Sequence, residues 1–162
     1  MVAVTSSCTA VVTLPTDTQI LITRDFDAPR HLVYRAWTTP ELIKRWWAGD
    51  HGAVTSAEVD LRVGGTWRYV MTANEGFEVA FHGEYRDIVT DERIVSTEVF
   101  EGMPDAAALS TNTFVDSDGR TTLTILVEHS SQEDRDAHIN SGMEGGMQES
   151  MDHLEEVALS LL

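Results

Sequence analysis

The chain has 162 residues, of which 42% are apolar and 23% charged, and these proportions are typical of one globular domain rather than two. Its 27 acidic residues outnumber its 11 Lys and Arg residues and give a formal net charge of −16, which excludes nucleic acid and anionic membrane surfaces as favourable partners. The single cysteine, Cys8, excludes an internal disulfide and disfavours a zinc–thiolate site. We expect neither a cofactor nor a metal.

The N-terminal residues show no targeting signal. Residues 1–14 contain no Lys or Arg, and Thr and Ser interrupt their apolar residues, unlike a secretory signal. No run approaches the roughly 20 apolar residues that cross a bilayer. We therefore expect a cytoplasmic protein in which residues 1–16 form an N-terminal extension, with a short strand at residues 9–14, and residues 17–162 form the domain.

The domain is predicted to begin with a strand and a short helix. Ile20, Ile22 and Phe26 alternate with polar residues, as in a half-buried strand. Asp27 is then a candidate N-cap, and Pro29 suits a first helical turn. Apolar residues follow at helical spacing, at Leu32, Val33, Ala36 and Trp37.

A second short helix is predicted directly afterwards. Thr39, Pro40 and Glu41 repeat the helix start signal, and the proline separates the two helices. This helix carries Trp46 and Trp47 and is predicted to end at the glycines that follow, Gly49 and Gly52.

From residue 53 to residue 128 the pattern changes to short alternating runs separated by turn residues, which predicts an antiparallel meander of about six strands. Residues that share a phase in these runs are expected on the inner face: Trp67, Tyr69, Met71, Phe81, Gly83, Tyr85, Leu123, Ile125, Val127 and His129. Residues 95–100 and 109–115 mix apolar and polar side chains on both faces, so their phase stays open.

The last thirty residues are predicted to be helical. Ser130 and Glu133 form a candidate capping box, and Gly142 is expected to break or kink the helix. An apolar stripe follows at three- and four-residue spacing, at Ile139, Met143, Met147, Met151, Leu154 and Ala158. The flanking polar residues indicate a solvated face, with an interaction surface as the alternative: Glu144, Gln148, Glu149, Asp152, Glu155 and Glu156. Because the stripe needs an apolar partner, we expect it to lie across the meander in an α+β arrangement.

Several segments, in order, resemble START-like helix-grip (SRPBCC) proteins, in the branch named after the activator of the Hsp90 ATPase. The resemblance covers residues 20–161, and these segments carry it: ITRDFDAP (22–29), VYRAWT (33–38), PEL (40–42), RWW (45–47), DLRVGGTWRY (60–69), GEYR (83–86), ERI (92–94), LTI (123–125) and GMEGGMQES (142–150). It implies a curved antiparallel sheet of about six to seven strands, wrapped around a long C-terminal helix, with two short helices after the first strand. It also implies a cavity that holds apolar molecules in relatives, but no shared catalytic residues.

The candidate cavity residues are large apolar or aromatic side chains on the predicted inner faces. They are Trp46, Trp47, Trp67, Tyr69, Met71, Phe81, Tyr85, Val127, His129, Met143, Met147 and Met151. Ordinary core packing predicts the same pattern, and it is the alternative for each of them. Within this set, the Tyr69 hydroxyl is a candidate polar anchor for a ligand.

Catalytic residues are not fixed by any motif. His129 and Tyr69 are weak candidates for moving a proton, with a structural role as the alternative. His82 is expected to face solvent, and His31 and His138 are expected on helix surfaces. Two pairs have the i, i+4 spacing of helical metal ligands, Asp134 with His138 and Glu149 with His153, but each lacks a third ligand, so we predict no metal site.

Three functions stay open on the sequence. The first is a binding module for an apolar small molecule, and the second is a cyclase-, dehydratase- or hydrolase-type enzyme that acts on an apolar substrate. The third is a protein-interaction role, such as the activation of a chaperone ATPase or another stress-response function, through the acidic helix or a sheet edge. A homodimer is compatible with each of them.

Overall fold

The computed structural model describes residues 9–162 and confirms the α+β helix-grip architecture. The strands are Val11–Thr13 (β1), Gln19–Phe26 (β2), Gly52–Val59 (β3), Thr66–Ala73 (β4), Glu78–Val89 (β5), Arg93–Phe100 (β6), Ala108–Ser117 (β7) and Arg120–Glu128 (β8). The helices are Arg30–Thr38 (α1), Pro40–Ile43 (α2), Gln132–Ile139 (α3) and Met143–Leu159 (α4). Within the described part of the chain, no helix is long and apolar enough to span a membrane.

The strands form one antiparallel sheet in the order β1-β2-β8-β7-β6-β5-β4-β3. The predicted six-strand meander is confirmed as β3 to β8, and β2 joins it by pairing with β8 over its whole length. The short strand expected at residues 9–14 is β1, which pairs with β2 and raises the sheet to eight strands, one more than the upper expectation.

The C-terminal helix lies against the concave inner face of this sheet. Its stripe is buried at Met151, Leu154 and Ala158, which are 4%, 0% and 0% exposed. Burial of one such side chain contributes about 1.5–3 kcal/mol, so this half of α4 anchors the helix to the fold. Met143 and Met147, nearer the start of α4, are only half-buried.

Two predictions about the first two helices are wrong. Pro29 is the N-cap of α1, whereas Asp27 forms an ion pair with Arg120, with 2.9 Å between Oδ1 and Nε. The second helix ends at Ile43, so Trp46 and Trp47 lie in the turns that follow it.

The cap of α3 also lies one residue away from the predicted position. Ser131 is the N-cap, and its hydroxyl accepts a hydrogen bond from the backbone N–H of Asp134 at 3.1 Å, which replaces the predicted pair of Ser130 and Glu133. Gly142 separates α3 from α4, as predicted. Its φ of +84° lies in the left-handed region that glycine adopts without strain.

The polar flank of α4 is not simply a solvated face. The Gln148 side chain donates to the Ala10 carbonyl at 2.8 Å, and Glu149 accepts from the backbone N–H of Asp50 at 3.2 Å. Asp152 and Glu155 form ion pairs with the buried side chain of Arg24. These contacts tie α4 to the N-terminal strands and to the loop after α2.

Candidate functional site: a cavity under the C-terminal helix

A cavity of about 690 Å³ lies between the inner face of the sheet and the first half of α4. All twelve residues proposed from the sequence line it, as do Ile22, Trp37, Ile94 and Ile125. Side chains therefore leave open the space that core packing would have filled. Whether these residues contact a ligand stays a prediction.

Aromatic rings form one wall of the cavity. Trp47 meets Tyr69 and Phe81 edge-on, with ring centroids 5.4 and 5.3 Å apart, and Trp67 lies 4.7 Å from Tyr69. Such edge-to-face and tilted contacts hold aromatic rings in fixed orientations. The wall therefore presents a preformed apolar surface.

Trp46 lines the cavity and also secures α1. Its indole N–H donates to the carbonyl of Ala36 at 2.9 Å, and its ring stacks on Trp37 at 5.1 Å. The residue four positions after Ala36 is Pro40, which has no N–H to continue the helical hydrogen bonds. The Trp46 indole therefore donates the hydrogen bond that no backbone N–H of the helix can give to the Ala36 carbonyl.

Replacement of Trp46 with Phe is expected to lower the free energy of unfolding by about 1–3 kcal/mol, because the Ala36 carbonyl then stays buried without a donor. Urea denaturation measures the change. Trp47→Phe is the matched control, since no hydrogen bond of the Trp47 indole is found among residues 9–162. Equal losses in the two variants would contradict the role of this hydrogen bond.

The open end of the cavity has an apolar rim. Phe77, Phe100 and Met103 line the cavity, yet they are 57%, 39% and 46% exposed. They lie where the β4–β5 turn meets the connection from β6 to β7. An apolar molecule therefore meets apolar surface on its way in.

A second part of the cavity lining is polar, and the sequence pattern did not predict it. Ser96 and Glu98 on β6 and Ser110 and Asn112 on β7 face the cavity, and we call these four residues the polar floor. The register pairs Ser96 with Ser110, and the Ser110 hydroxyl donates to Asn112 Oδ1 at 3.3 Å. In the sequence, only Ile94 indicates which residues of β6 face inward. It shares the inner face with Ser96 and Glu98.

Glu98 is the charged group of the polar floor. Burial raises the pKa of its carboxyl group, and among residues 9–162 this group has no hydrogen-bond or ion-pair partner. A desolvated carboxylate without a partner is costly. The side chain therefore has unused capacity to bind a group that enters the cavity.

Two tyrosine hydroxyl groups also lie in the cavity. Burial raises the pKa of Tyr69 well above its usual value, and Tyr85 and Glu98 add to this effect by charge repulsion. Burial likewise raises the pKa of Tyr85. Both hydroxyl groups therefore stay protonated at neutral pH and can donate or accept a hydrogen bond, but they cannot serve as bases.

His129 and His138 form a pair at one side of the cavity. His129 Nε2 lies 3.0 Å from His138 Nδ1, and both rings line the cavity. The predicted position of His138 on a helix surface is wrong, because α3 packs against β2 and α4 and brings the His138 ring against that of His129, which directly follows β8. Burial lowers the pKa of both residues, and that of His138 falls to about 4.

Of the other histidines, His51 lines the cavity with a side chain that is 61% exposed, whereas His82 and His153 do not line it. His82 is half-exposed on the outer face, as predicted, where it lies 2.8 Å from Glu101. His153 contacts Asp50 at 2.9 Å. Within residues 9–162, no three His, Cys, Asp or Glu residues are grouped so that they could hold a metal ion.

Comparison with known proteins decides the family. The family model described as "Activator of Hsp90 ATPase homolog 1-like protein" matches residues 27–158. The chain belongs to this family. The match to the AHSA1-like family confirms the resemblance that the sequence motifs indicated, while a search of curated proteins finds no match.

Solved structures with the same fold span nearly the whole chain. A protein from Rhodobacter sphaeroides is 25% identical, with a TM-score of 0.86 over 94% of this chain and 99% of its own. A protein from Chromobacterium violaceum is 28% identical, with a TM-score of 0.77 over 88% and 98%. An AHSA1-like protein from Aeromonas hydrophila is 22% identical, with a TM-score of 0.67 over 86% and 94%. These likenesses support the helix-grip fold.

Proposed function

We propose that this AHSA1-like protein binds an apolar small molecule in the cavity under α4. The observation that carries the proposal is the cavity of about 690 Å³, because its volume lies within the range of small-molecule sites. Packed cores leave few voids larger than a water molecule, and unfilled volume costs stability. A cavity of this size is therefore better explained by a ligand than by imperfect packing.

The lining supports an apolar ligand rather than a polar one. Aromatic rings and the flexible side chains of Met143, Met147 and Met151 surround most of the space. Methionine adapts its shape to different guests, and aromatic rings supply a large contact area. The ligand's polar groups would meet the polar floor and the tyrosine hydroxyl groups.

The proposal is tested with the neutral apolar dye N-phenyl-1-naphthylamine, whose fluorescence rises in apolar surroundings. We expect saturable binding to the wild-type protein. Met147→Trp extends bulk from α4 into the cavity and is expected to weaken dye binding about tenfold or more, while Met147→Ala enlarges the cavity and keeps binding. Circular dichroism checks that both variants are folded.

Val63→Trp is the control for nonspecific effects, since Val63 is 62% exposed and does not line the cavity. Equal dye affinity in the wild type and Met147→Trp would place the dye outside the cavity and contradict the proposal. Native mass spectrometry of protein purified from cells gives an independent test. A retained compound of a few hundred daltons, absent from Met147→Trp, would support a cavity ligand.

The second candidate is an enzyme that acts on an apolar substrate, and the carboxyl group of Glu98 favours it. A carboxyl group whose pKa is raised by burial is suited to general acid–base catalysis near neutral pH. Loss of turnover in Glu98→Gln, with binding of the same substrate retained, would favour this candidate over a simple binding module.

A further inference from the structure

We propose that the ligand of this cavity is a hydrophobic amine whose ammonium group binds Glu98, an inference that rests on the proposed function. The cavity then binds its ligand through two separate surfaces. The aromatic wall and the α4 methionines hold the apolar body, and the polar floor holds the head group.

The charged side chains at the cavity favour a cationic head group. Among residues 9–162, no Lys or Arg lines the cavity, whereas three acidic residues do, at Glu75, Glu98 and Asp134. Burial lowers the pKa of His129 and His138, which line the same space, so these rings stay neutral at pH 7. His51 also lines the cavity, but its side chain is 61% exposed and its Nε2 already lies 3.2 Å from the carboxylate of Glu149. A carboxylate or phosphate head group would therefore find no buried countercharge there, and the net charge of −16 adds to its repulsion.

The position of Glu98 leaves its carboxylate accessible to a head group. Glu98 lies two residues before the end of β6, on the same face as Ser96, and its neighbour in the register on β7 is the small residue Ala108. A small neighbour leaves room beside the carboxylate for a head group. Because no side chain of residues 9–162 pairs with this carboxylate, an ammonium group would supply the missing partner.

The cavity also offers acceptors other than Glu98. An ammonium group has three donors, and it needs acceptors for them when it leaves water. Ser96 lies on the same face of β6 as Glu98, and Tyr69 lines the same cavity from β4. Their hydroxyl groups can accept hydrogen bonds from an ammonium group in the cavity, and the face of the Tyr69 ring also attracts cations.

The test compares three probes that differ only in the head group: decylamine, decanol and decanoate. Each probe is used to displace N-phenyl-1-naphthylamine from the wild-type protein. We expect decylamine to bind about tenfold more tightly than decanol, because hydrogen bonds to charged partners are stronger than neutral ones, and decanoate to bind most weakly.

Glu98→Gln keeps the shape of the side chain and removes its charge. In this variant the preference for decylamine over decanol is expected to fall to less than about threefold, with dye binding retained. Glu58→Gln removes one charge from an exposed residue of the edge strand β3 that does not line the cavity, and it should leave the preference unchanged, which controls for attraction by the overall negative charge.

The outcomes separate this inference from the proposed function. If the dye binds and decylamine and decanol displace it equally well from the wild type, the amine assignment is wrong and the binding function stands. The same conclusion follows if Glu58→Gln and Glu98→Gln reduce the preference equally. If neither dye nor probe binds the wild-type protein, the proposed function itself fails. The wild-type comparison needs no variant, so equal displacement by decylamine and decanol overturns the amine assignment even if Glu98→Gln does not fold.

Discussion

Replacement of Arg24 with Ala is expected to lower the free energy of unfolding by about 3–5 kcal/mol. The Arg24 side chain is 1% exposed, and its guanidinium group contacts Asp152 at 3.2 Å and Glu155 at 3.4 Å. It also lies 4.8 Å from the centre of the Phe26 ring. Its removal would leave the Glu155 carboxylate, only 12% exposed, without this cation, and would loosen α4 from β2.

Urea denaturation measures this loss, and Arg120→Ala is the matched control. Arg120 pairs with Asp27 at a similar distance, but its side chain is 44% exposed and that of Asp27 53%. Because water screens exposed pairs, the control is expected to lose less than about 1 kcal/mol. If both variants unfold at the same urea concentration, burial does not set the strength of the Arg24 contacts.

Arg24 also shows what alternation in a strand can and cannot predict. Ile20, Ile22 and Phe26 define the buried phase of β2, and Arg24 falls in the same phase. The pattern therefore marks its side chain as inward, but it cannot name a partner 131 positions later in the chain. Ion pairs between distant elements depend on tertiary packing, which local periodicity does not contain.

The architecture was predictable because its strongest signals are local. The meander followed from alternation and turn residues, and the stripe from Met151 to Ala158 required an apolar partner, which the sheet and α1 supply together. The ends of the short helices were less predictable. α2 stops at Ile43, although the apolar spacing continues to Trp47, because packing of Trp46 against α1 replaces a further turn of helix.

The apolar half of the cavity was predictable, and the polar half was not. Large side chains that alternate with polar residues indicate an inner face, as at Trp67, Tyr69 and Phe81. Ser96 and Glu98 occupy the same kind of inward position on β6, yet polar residues there obscure the alternation. Inward-facing polar residues break the alternation at these positions, so a strand that cannot be phased is a reason to look for a polar surface inside the fold.

The pair of His129 and His138 predicts a loss of stability in mild acid. Burial, and the neighbouring charge of His129, lower the pKa of His138 to about 4, while an unfolded chain has a histidine pKa near 6.5. At pH values between about 4 and about 6.5, His138 binds a proton in the unfolded state but not in the folded state. The contribution of neutral His138 to the free energy of unfolding is therefore fully present above about pH 6.5. It decreases as the pH falls, by about 2 kcal/mol between pH 7 and pH 5.

His138→Gln removes this titration and keeps a side chain that can hydrogen-bond with His129. Urea denaturation at several pH values should show a smaller loss in the variant than in the wild type.

His153→Gln is the control with the opposite sign. The hydrogen bond that His153 donates to the Asp50 carboxylate raises the pKa of His153, so its contribution is present in acid and decreases as the pH rises. Its removal should therefore steepen the loss on acidification, and parallel curves for both variants and the wild type would contradict the coupling of these histidines to folding.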